Sequence, residues 1–262
     1  RLGQGAFRVL VTDAFERRCA VSGEKTLPIL DAAHIQSYGA GGEHQTSNGL
    51  LLRTDIHKLF DLGYVTVEDR KFSLTPRILE LGYAYLSGTP LWNLALPYME
   101  EVAELTRESC SVSVLEGADI VYILRLSTHK VMTINLAVGS RLPAWVTSMG
   151  RVLLAGLPEA ELDRVLAMSQ IQTYTAETVT DIAELKRVLA GVRVDGYACV
   201  AQELEPGLQS VAVPIIDRSG RVIAAMNVSG HANRFSREAM LEAFLPLLRR
   251  AADQINHALL RR

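Results

Sequence analysis

The chain has 262 residues, of which 48% are hydrophobic and 21% charged, and its formal net charge is −2 at pH 7. This composition is typical of a folded globular protein and excludes both a disordered chain and an overall basic field for nucleic acid. Three scattered cysteines exclude a disulfide framework, and no run of about 18 apolar residues occurs, so we expect no membrane partner and a cytoplasmic location.

The first quarter of the chain predicts a unit of short elements. Its patterns indicate a helix near 5–17, two short strands around 27–35 and a short helix around 53–61. Four glycines between positions 39 and 49 are typical of a loop before that last helix. Strand, strand, loop and helix make a ββα unit, which we assign to residues 1–70.

Two helices are predicted next. The apolar spacing after Pro76 indicates a linker helix within residues 71–88. A second amphipathic helix opens at Thr89 and Pro90 and carries apolar positions from Leu91 to Leu105. Residues 89–262 then form the second predicted domain.

Alternating or continuous apolar runs predict the strands of that domain. They lie at 111–115, 120–126, 131–137, 197–202, 210–216 and 222–228. Helices are expected at 151–155, 158–167 and 181–194, and a closing helix runs from the N-cap residue Ser236 to about Leu260. The pattern predicts an α+β fold in which helices flank an antiparallel sheet, a layout common to small-molecule sensors.

Several segments from residue 72 onward carry a resemblance. "LTPRILELGYAYL", "VGSRLPAWVTSMGRVLLAGLPEAEL", "DGYACVAQELEPGLQSVAVPI" and "VIAAMNVSG" resemble the GAF-like effector-binding domain of the IclR family, in that order. "FSREAMLEAFLPLLRRAADQINHAL" is similar to the branch whose members sense protocatechuate, 4-hydroxybenzoate or β-ketoadipate. The resemblance implies a small aromatic or dicarboxylic acid effector, DNA as partner and a homodimer or tetramer.

The resemblance also implies an effector pocket. The amides of Ser148, Met149 and Gly150 precede a predicted helix at Arg151, where an anion is favoured. The family's other pocket positions correspond to Val200, Ser210, Asn227 and Ser229. Hydroxyl and amide groups in an apolar pocket suit a small carboxylate, although such residues also commonly satisfy strand or turn backbone.

The N-terminal unit resembles an HNH endonuclease instead of the winged helix-turn-helix that the family implies. "RCAVSG", "LDAAHI", "YGAGGEHQTSNGLLL" and "DIHKLFDLGYV" carry this likeness, and residues 63–82 look like the end of a wing running into a linker helix. The likeness implies that His34 is a general base, Asn48 an orienting residue and His57 a ligand for divalent Mg or Mn.

One position departs from the HNH pattern. Ala33 stands where many HNH sites carry a metal ligand, so Asp31 or Asp61 would have to supply it. Three functions therefore stay open. The chain is an effector-controlled metal-dependent HNH endonuclease, an IclR-type regulator of aromatic catabolism that binds DNA without cutting it, or a recombined fragment in which the sensor alone functions.

Overall fold

The computed structural model describes residues 4–36, 41–68, 71–88, 90–127 and 136–260. The chain divides into two compact units, Arg1–Tyr85 and Leu86–Arg262. Each unit has its own hydrophobic core, and each is described by itself below.

The first unit is built from short elements. In chain order they are α1 (Gln4–Ala14), β1 (Leu30–His34), β2 (Gly49–Arg53), α2 (Thr54–Asp61), β3 (Val65–Glu68), β4 (Lys71–Leu74) and the start of α3 (Ile78–Gly88). Strands β1 and β2 pair antiparallel, as do β3 and β4. The core of the unit lies between α1 and the β1–β2 pair and includes Phe7, Val11, Leu30 and Leu51.

The prediction of two strands around 27–35 is wrong, because one strand, β1, lies there instead of two. Residues Leu27–Ile29 form a 3₁₀ turn with Pro28 in its first positions, because proline fixes its own φ and has no N–H for a strand ladder. A single strand follows, and its partner β2 lies beyond the loop that starts at Ile35. The ββα order holds, with β1, β2 and α2 as its members.

The second unit contains a longer set of elements. These are α4 (Pro90–Thr106), β5 (Ser109–Glu116), β6 (Asp119–Leu126), β7 (Arg141–Pro143), α5 (Ser148–Ala155), α6 (Glu159–Met168), α7 (Ile182–Asp195), β8 (Ala198–Ala201), β9 (Leu208–Ile216), β10 (Val222–His231), α8 (Arg237–Ala243) and α9 (Leu245–Leu260). Within the described ranges, the strands form one antiparallel sheet in the order β7-β6-β5-β10-β9-β8.

This sheet carries helices on both faces, and its curled antiparallel form confirms the α+β fold class. Helices α4, α8 and α9 cover one face, where large apolar side chains such as Met99 of α4, Met226 of β10 and Leu248 of α9 pack together. Helices α5, α6 and α7 cover the other face, where the strands present small residues, Ala198, Ala212 and Ala225. Small residues let α5 lie close to the strands, so this face is where a site between helix and sheet can form.

Three details of the second unit differ from the sequence prediction. Helix α5 begins at Ser148, three residues before its expected start, because Thr147 caps it. The closing helix is interrupted at Phe244, since Pro246 cannot donate an N–H to the preceding turn. The N-cap at Ser236 is confirmed, and its side chain accepts from the Ala239 N–H. The strand expected at 131–137 lies largely outside the described residues.

Among the helices in the described part of the chain, none has both the length and the apolar character needed to cross a bilayer.

Candidate functional site

Strand register in the second unit places polar side chains in two rows on the face that α5 covers. In the first row Arg125 of β6 pairs with Ser111 of β5, and Ser111 pairs with Asn227 of β10. In the second row Ser229 of β10 pairs with Ser210 of β9, which pairs with Val200 of β8. Directly paired residues of antiparallel strands point to the same face, so both rows face the same space.

A cavity lies between these rows and the start of α5. Six of the seven residues expected at the effector site line it: Ser148, Met149, Val200, Ser210, Asn227 and Ser229. The structure thus brings together residues that lie up to about eighty positions apart in the sequence.

The start of α5 fixes one end of the cavity. The Gly150 N–H donates to the Thr147 hydroxyl at 3.1 Å, and the Ser210 hydroxyl donates to Ser148 Oγ at 2.8 Å. Gly150, the seventh expected residue, does not line the cavity. A Cβ there would lie 2.0 Å from the Ala144 carbonyl oxygen, so glycine at this position permits the close approach of two backbone segments.

A buried ion pair lies beside that end. Arg151 Nη1 and Nη2 each donate to one oxygen of Glu203, both at 2.6 Å, and Arg151 Nε donates to the Trp145 carbonyl at 3.0 Å. The Val179 N–H adds a bond to Glu203 Oε2 at 3.2 Å. Glu203 lines the cavity, but its carboxylate is matched by this guanidinium and adds no free negative charge there.

Arg125 supplies the opposite end, and it was missed in the sequence. Its Nη1 donates to Ser111 Oγ at 3.1 Å, while its Nε is buried and has no hydrogen-bond partner. Burial lowers the pKa of Arg125, and the ring of Tyr122 lies 5.9 Å from its guanidinium carbon. No carboxylate of the described ranges lies within ion-pair distance of Arg125. The signal in the sequence was one arginine inside the apolar strand "DIVYILRL".

A second unpartnered group lies between the two ends. Asn227 is 5% exposed, and its Oδ1 is buried with no hydrogen-bond partner among the described residues. An unpaired buried amide oxygen costs about 1–3 kcal/mol relative to a bonded one. An incoming polar ligand would remove that cost, as it would for Arg125 Nε.

The first unit holds the other expected site. His34 ends β1, and its ring stacks on Phe7 with centroids 4.0 Å apart and planes 10° apart. Its Nε2 lies 2.9 Å from His44 Nδ1. Burial, then the neighbouring His44 and His57, lower the pKa of His34, which favours the neutral form of its ring. His44 was not among the residues predicted for this site.

Asn48 holds the loop before β2 and contacts backbone. Its Oδ1 accepts from the Gln36 N–H at 2.8 Å, and its Nδ2 donates to the carbonyls of Gln36 and Glu43 at 3.0 Å each. These bonds fix the segment that carries His44 close to His34. Asn48 therefore acts on this site by ordering backbone, and the histidine-orienting role expected for it stays a prediction.

His57 lies between the two acidic residues proposed as metal ligands. Its Nδ1 is 3.7 Å from Asp31 and its Nε2 is 3.5 Å from Asp61, so the carboxylates approach opposite edges of the ring. In the portion of the chain described, no three His, Cys, Asp or Glu side chains converge as a metal site would require. Ala33 is 1% exposed and belongs to the core. This donor set does not fit a divalent metal as arranged.

The sheet, its helices and the polar-ended cavity define a ligand-sensing α+β domain. The profile of the family described as "Bacterial transcriptional regulator IclR C-terminal" matches residues 83–257. The chain belongs to the IclR family of bacterial transcriptional regulators. A profile described as HNH endonuclease matches residues 19–68, a likeness limited to the first unit.

Individual relatives agree with this assignment. The chain is 40% identical over 237 residues to the Pca regulon regulatory protein of Pseudomonas putida, covering 87% of this chain and 81% of that protein. A structure described as a transcriptional regulator of Rhodococcus sp. RHA1 is 47% identical and covers 78% of this chain and 82% of that one, with a TM-score of 0.69. A double mutant of the PobR inducer-binding domain from Acinetobacter, complexed with 3-hydroxybenzoic acid, is 28% identical, with a TM-score of 0.59 and coverage of 63% of this chain and 96% of that one.

Proposed function

We propose that this chain is a cytoplasmic transcriptional regulator of aromatic catabolism whose cavity binds a small aromatic or dicarboxylic acid and thereby controls DNA binding. Arg125 is the observation that carries the proposal. A half-buried guanidinium with an unpartnered Nε faces a largely apolar cavity, and a carboxylate is the ligand group that satisfies it. The complex of the PobR domain with 3-hydroxybenzoic acid supports an aromatic acid, and the sequence resemblance implies protocatechuate, 4-hydroxybenzoate or β-ketoadipate.

Titration calorimetry tests the effector half of this proposal. We expect heat of binding from at least one of these three acids. The methyl ester of 4-hydroxybenzoate is the matched control, because it keeps the ring and hydroxyl and removes the charge. Equal binding of ester and acid, or no heat from any of the acids, would contradict the proposal.

The DNA half is tested with the full chain. Fragments of genomic DNA retained by the protein are selected, and their affinity is then measured with and without the acid that gives heat. We expect the acid to change that affinity, since an effector shifts an equilibrium only through different affinities for two states. An unchanged affinity at saturating acid would leave a sensor without the proposed output.

We also infer a homodimer or a homotetramer. Helix α3 exposes two large apolar side chains one turn apart on the same face, Leu79 at 71% and Tyr83 at 73%. Burial of such a stripe is a common basis of subunit association. We expect Leu79→Glu to give a 28.7 kDa species in sedimentation. Val194→Glu, at a position 86% exposed elsewhere, is the control and should leave the assembly unchanged.

DNA cleavage by the first unit is a second candidate function. It is favoured by the HNH likeness of residues 19–68 together with His34, a neutral histidine that His44 contacts. We derive no metal-dependent step, since the carboxylates beside His57 do not converge. Nicking of supercoiled plasmid with Mg²⁺ or Mn²⁺ tests this candidate, and intact plasmid at every metal concentration would leave the DNA-binding regulator alone.

A further inference from the structure

The connection between β8 and β9, residues 202–207, lies at the edge of the cavity in the second unit. It contributes Glu203 and Leu204 to the lining, and Leu208 follows at the start of β9. Both leucines are half-buried, whereas Val200, which lines the cavity from within β8, is buried. Lining residues that also contact solvent mark where a cavity meets the surface. Residues 202–207, which we call the flap, therefore form one side of the cavity mouth.

Both ends of the flap have left-handed backbone. Gln202 has a φ of 58°, which a residue with a side chain adopts at a cost in free energy, and Gly207 has a φ of 82°. Two hydrogen bonds join these ends: the Gln202 N–H donates to the Leu208 carbonyl at 2.6 Å, and the Gly207 N–H donates to Gln202 Oε1 at 3.1 Å. The flap is thus a closed loop with backbone strain at its first residue.

The middle of the flap carries a second cost. Glu205 Oε2 is buried and has no hydrogen-bond partner among the described residues. A carboxylate oxygen that has lost water without gaining a donor raises the free energy of the state that buries it. Outward movement of residues 204–206 would return this oxygen to water. Within the described part of the chain, these three residues make one hydrogen bond outside themselves, from the Leu208 N–H to the Glu205 carbonyl at 3.1 Å.

A neighbouring segment offsets these costs. Residues 174–179, which we call the tether, lie in the connection between α6 and α7. Thr175 Oγ1 donates to the Gln202 carbonyl at 2.6 Å, and Thr178 Oγ1 donates to the Glu203 carbonyl at 2.7 Å. The tether therefore holds the first two residues of the flap in place.

The far end of the flap has its own anchor, since the Ala232 N–H donates to the Gly207 carbonyl at 2.7 Å. Residues 204–206 lie between the two anchors. We propose that residues 204–206 open and close over the cavity mouth, with Gln202 and Gly207 as hinges and with the tether setting how often the mouth opens. This inference goes beyond the proposed function and depends on it for a ligand, because it concerns the rates at which an acid enters and leaves.

Hydrogen exchange measures opening of the flap without any ligand. The N–H groups of Gly207 and Leu208 are bonded in the closed flap, so their exchange rate reports the fraction of open molecules. Thr175→Val removes the bond to Gln202 while keeping the size of the side chain, and it should speed this exchange about 3- to 10-fold. Thr173→Val is the matched control. That threonine is exposed and its hydroxyl makes no hydrogen bond to the described residues, so exchange should not change.

A second variant should act in the opposite direction. Glu205→Gln keeps the shape of the side chain and removes its charge, so the closed flap should gain stability and the same exchange should slow by a comparable factor. A general loosening of this region would instead speed exchange in both variants. Exchange in Thr175→Val equal to that in Thr173→Val, or faster exchange in Glu205→Gln, would overturn the flap.

Binding rates then show whether the flap controls access to the cavity. They are measured by stopped-flow fluorescence with 4-hydroxybenzoate, protocatechuate and β-ketoadipate. We expect Thr175→Val to raise the association and dissociation rate constants by the same factor and to leave Kd unchanged, because the flap is closed both before and after binding. Rate constants equal to those of the unmodified protein would overturn control of access by the flap. If exchange responds as expected and no acid binds the unmodified protein, the proposed sensor function fails and the flap remains.

Discussion

The two units of this chain hold their polar residues in different ways. In the second unit, the residues around the cavity belong to long strands whose register places Arg125, Asn227 and Ser210 on one face. In the first unit, His34 and His57 lie on elements of five and eight residues, and Asn48 bonds to loop backbone. One unit presents a formed cavity, and the other presents separate pairs of side chains.

This difference shows what a binding site requires of the strands and helices that carry its side chains. Five strands of one sheet and the start of α5 line the cavity, so unpartnered groups such as Arg125 Nε and Asn227 Oδ1 persist until a ligand reaches them. In the first unit the two histidines of the expected site already contact other polar side chains. His57 has Asp31 and Asp61, and His34 has His44. A sensor is therefore the function that the rigid unit supports best.

The largest predicted effect is on the rate of DNA cleavage by the first unit. If that unit cleaves DNA, His34→Ala should lower the cleavage rate by about 10²–10⁴-fold, the usual contribution of a general base. The reason is that a neutral imidazole is lost from the end of β1. The rate is measured as plasmid nicking at saturating Mn²⁺, with unfolding followed by circular dichroism.

Ser22→Ala, at an exposed turn of the same unit, is the matched control and should nick plasmid at the unmodified rate. His44→Gln should give an intermediate rate, because it removes the ring beside His34 while keeping a polar side chain. Nicking by His34→Ala at the unmodified rate would show that this histidine is no base.

The same contrast decides how much could be predicted from the sequence. The α+β class and most elements of the second unit follow from long apolar periodicity, which local propensity does not contradict. Elements broken by proline were misjudged, at Pro28 and at Pro246, because their effect depends on which neighbour loses a hydrogen bond. Short elements of the first unit offered too little periodicity to place β2 at 49–53.

Site residues divide along similar lines. Likeness to a family gave six residues that line the cavity, and strand register explains why they meet. Arg125 could not be found in this way, since a lone arginine in an apolar strand reads equally as an exposed edge position. Its burial depends on the partner strands β5 and β10. His44 was missed because a loop carries it to His34, and loops have no period.

The second-largest predicted effect is a loss of stability when the ion pair beside the cavity is broken. Arg151→Met should lower the free energy of unfolding by about 3–5 kcal/mol, because Glu203 would be left buried and unpaired. Urea denaturation measures the change. The double variant Arg151→Met/Glu203→Leu should recover most of the loss, since an apolar pair of similar volume leaves no buried charge. A single variant as stable as the unmodified protein would mean that water reaches Glu203.

The third prediction concerns the stability effect of substituting Gly150, which lies at the start of α5. Gly150→Ala should destabilise the chain by about 1–3 kcal/mol, because the new Cβ would meet the Ala144 carbonyl oxygen at 2.0 Å and α5 would have to move. Gly191→Ala in α7 is the matched control. A Cβ there meets nothing within 4 Å, so this variant should gain about 0.4–1 kcal/mol. Equal stability of the two variants in thermal unfolding would contradict the close packing of α5 on residue 144.

The smallest predicted effect is on effector affinity, and it distinguishes a hydroxyl that positions another side chain from one that contacts the ligand directly. The Ser210 hydroxyl donates its hydrogen bond to Ser148 Oγ and so orders the Ser148 side chain. Because Ser210→Ala removes this bond, the variant should bind the effector acid about 0.5–1.5 kcal/mol more weakly. A loss of about 1.5–3 kcal/mol would instead mean that the Ser210 hydroxyl contacts a carboxylate directly. Ser219→Ala, in the turn between β9 and β10 and away from the cavity, should leave the affinity unchanged. Calorimetry of both variants with the same acid separates these cases, and an unchanged affinity in Ser210→Ala would remove this residue from the site.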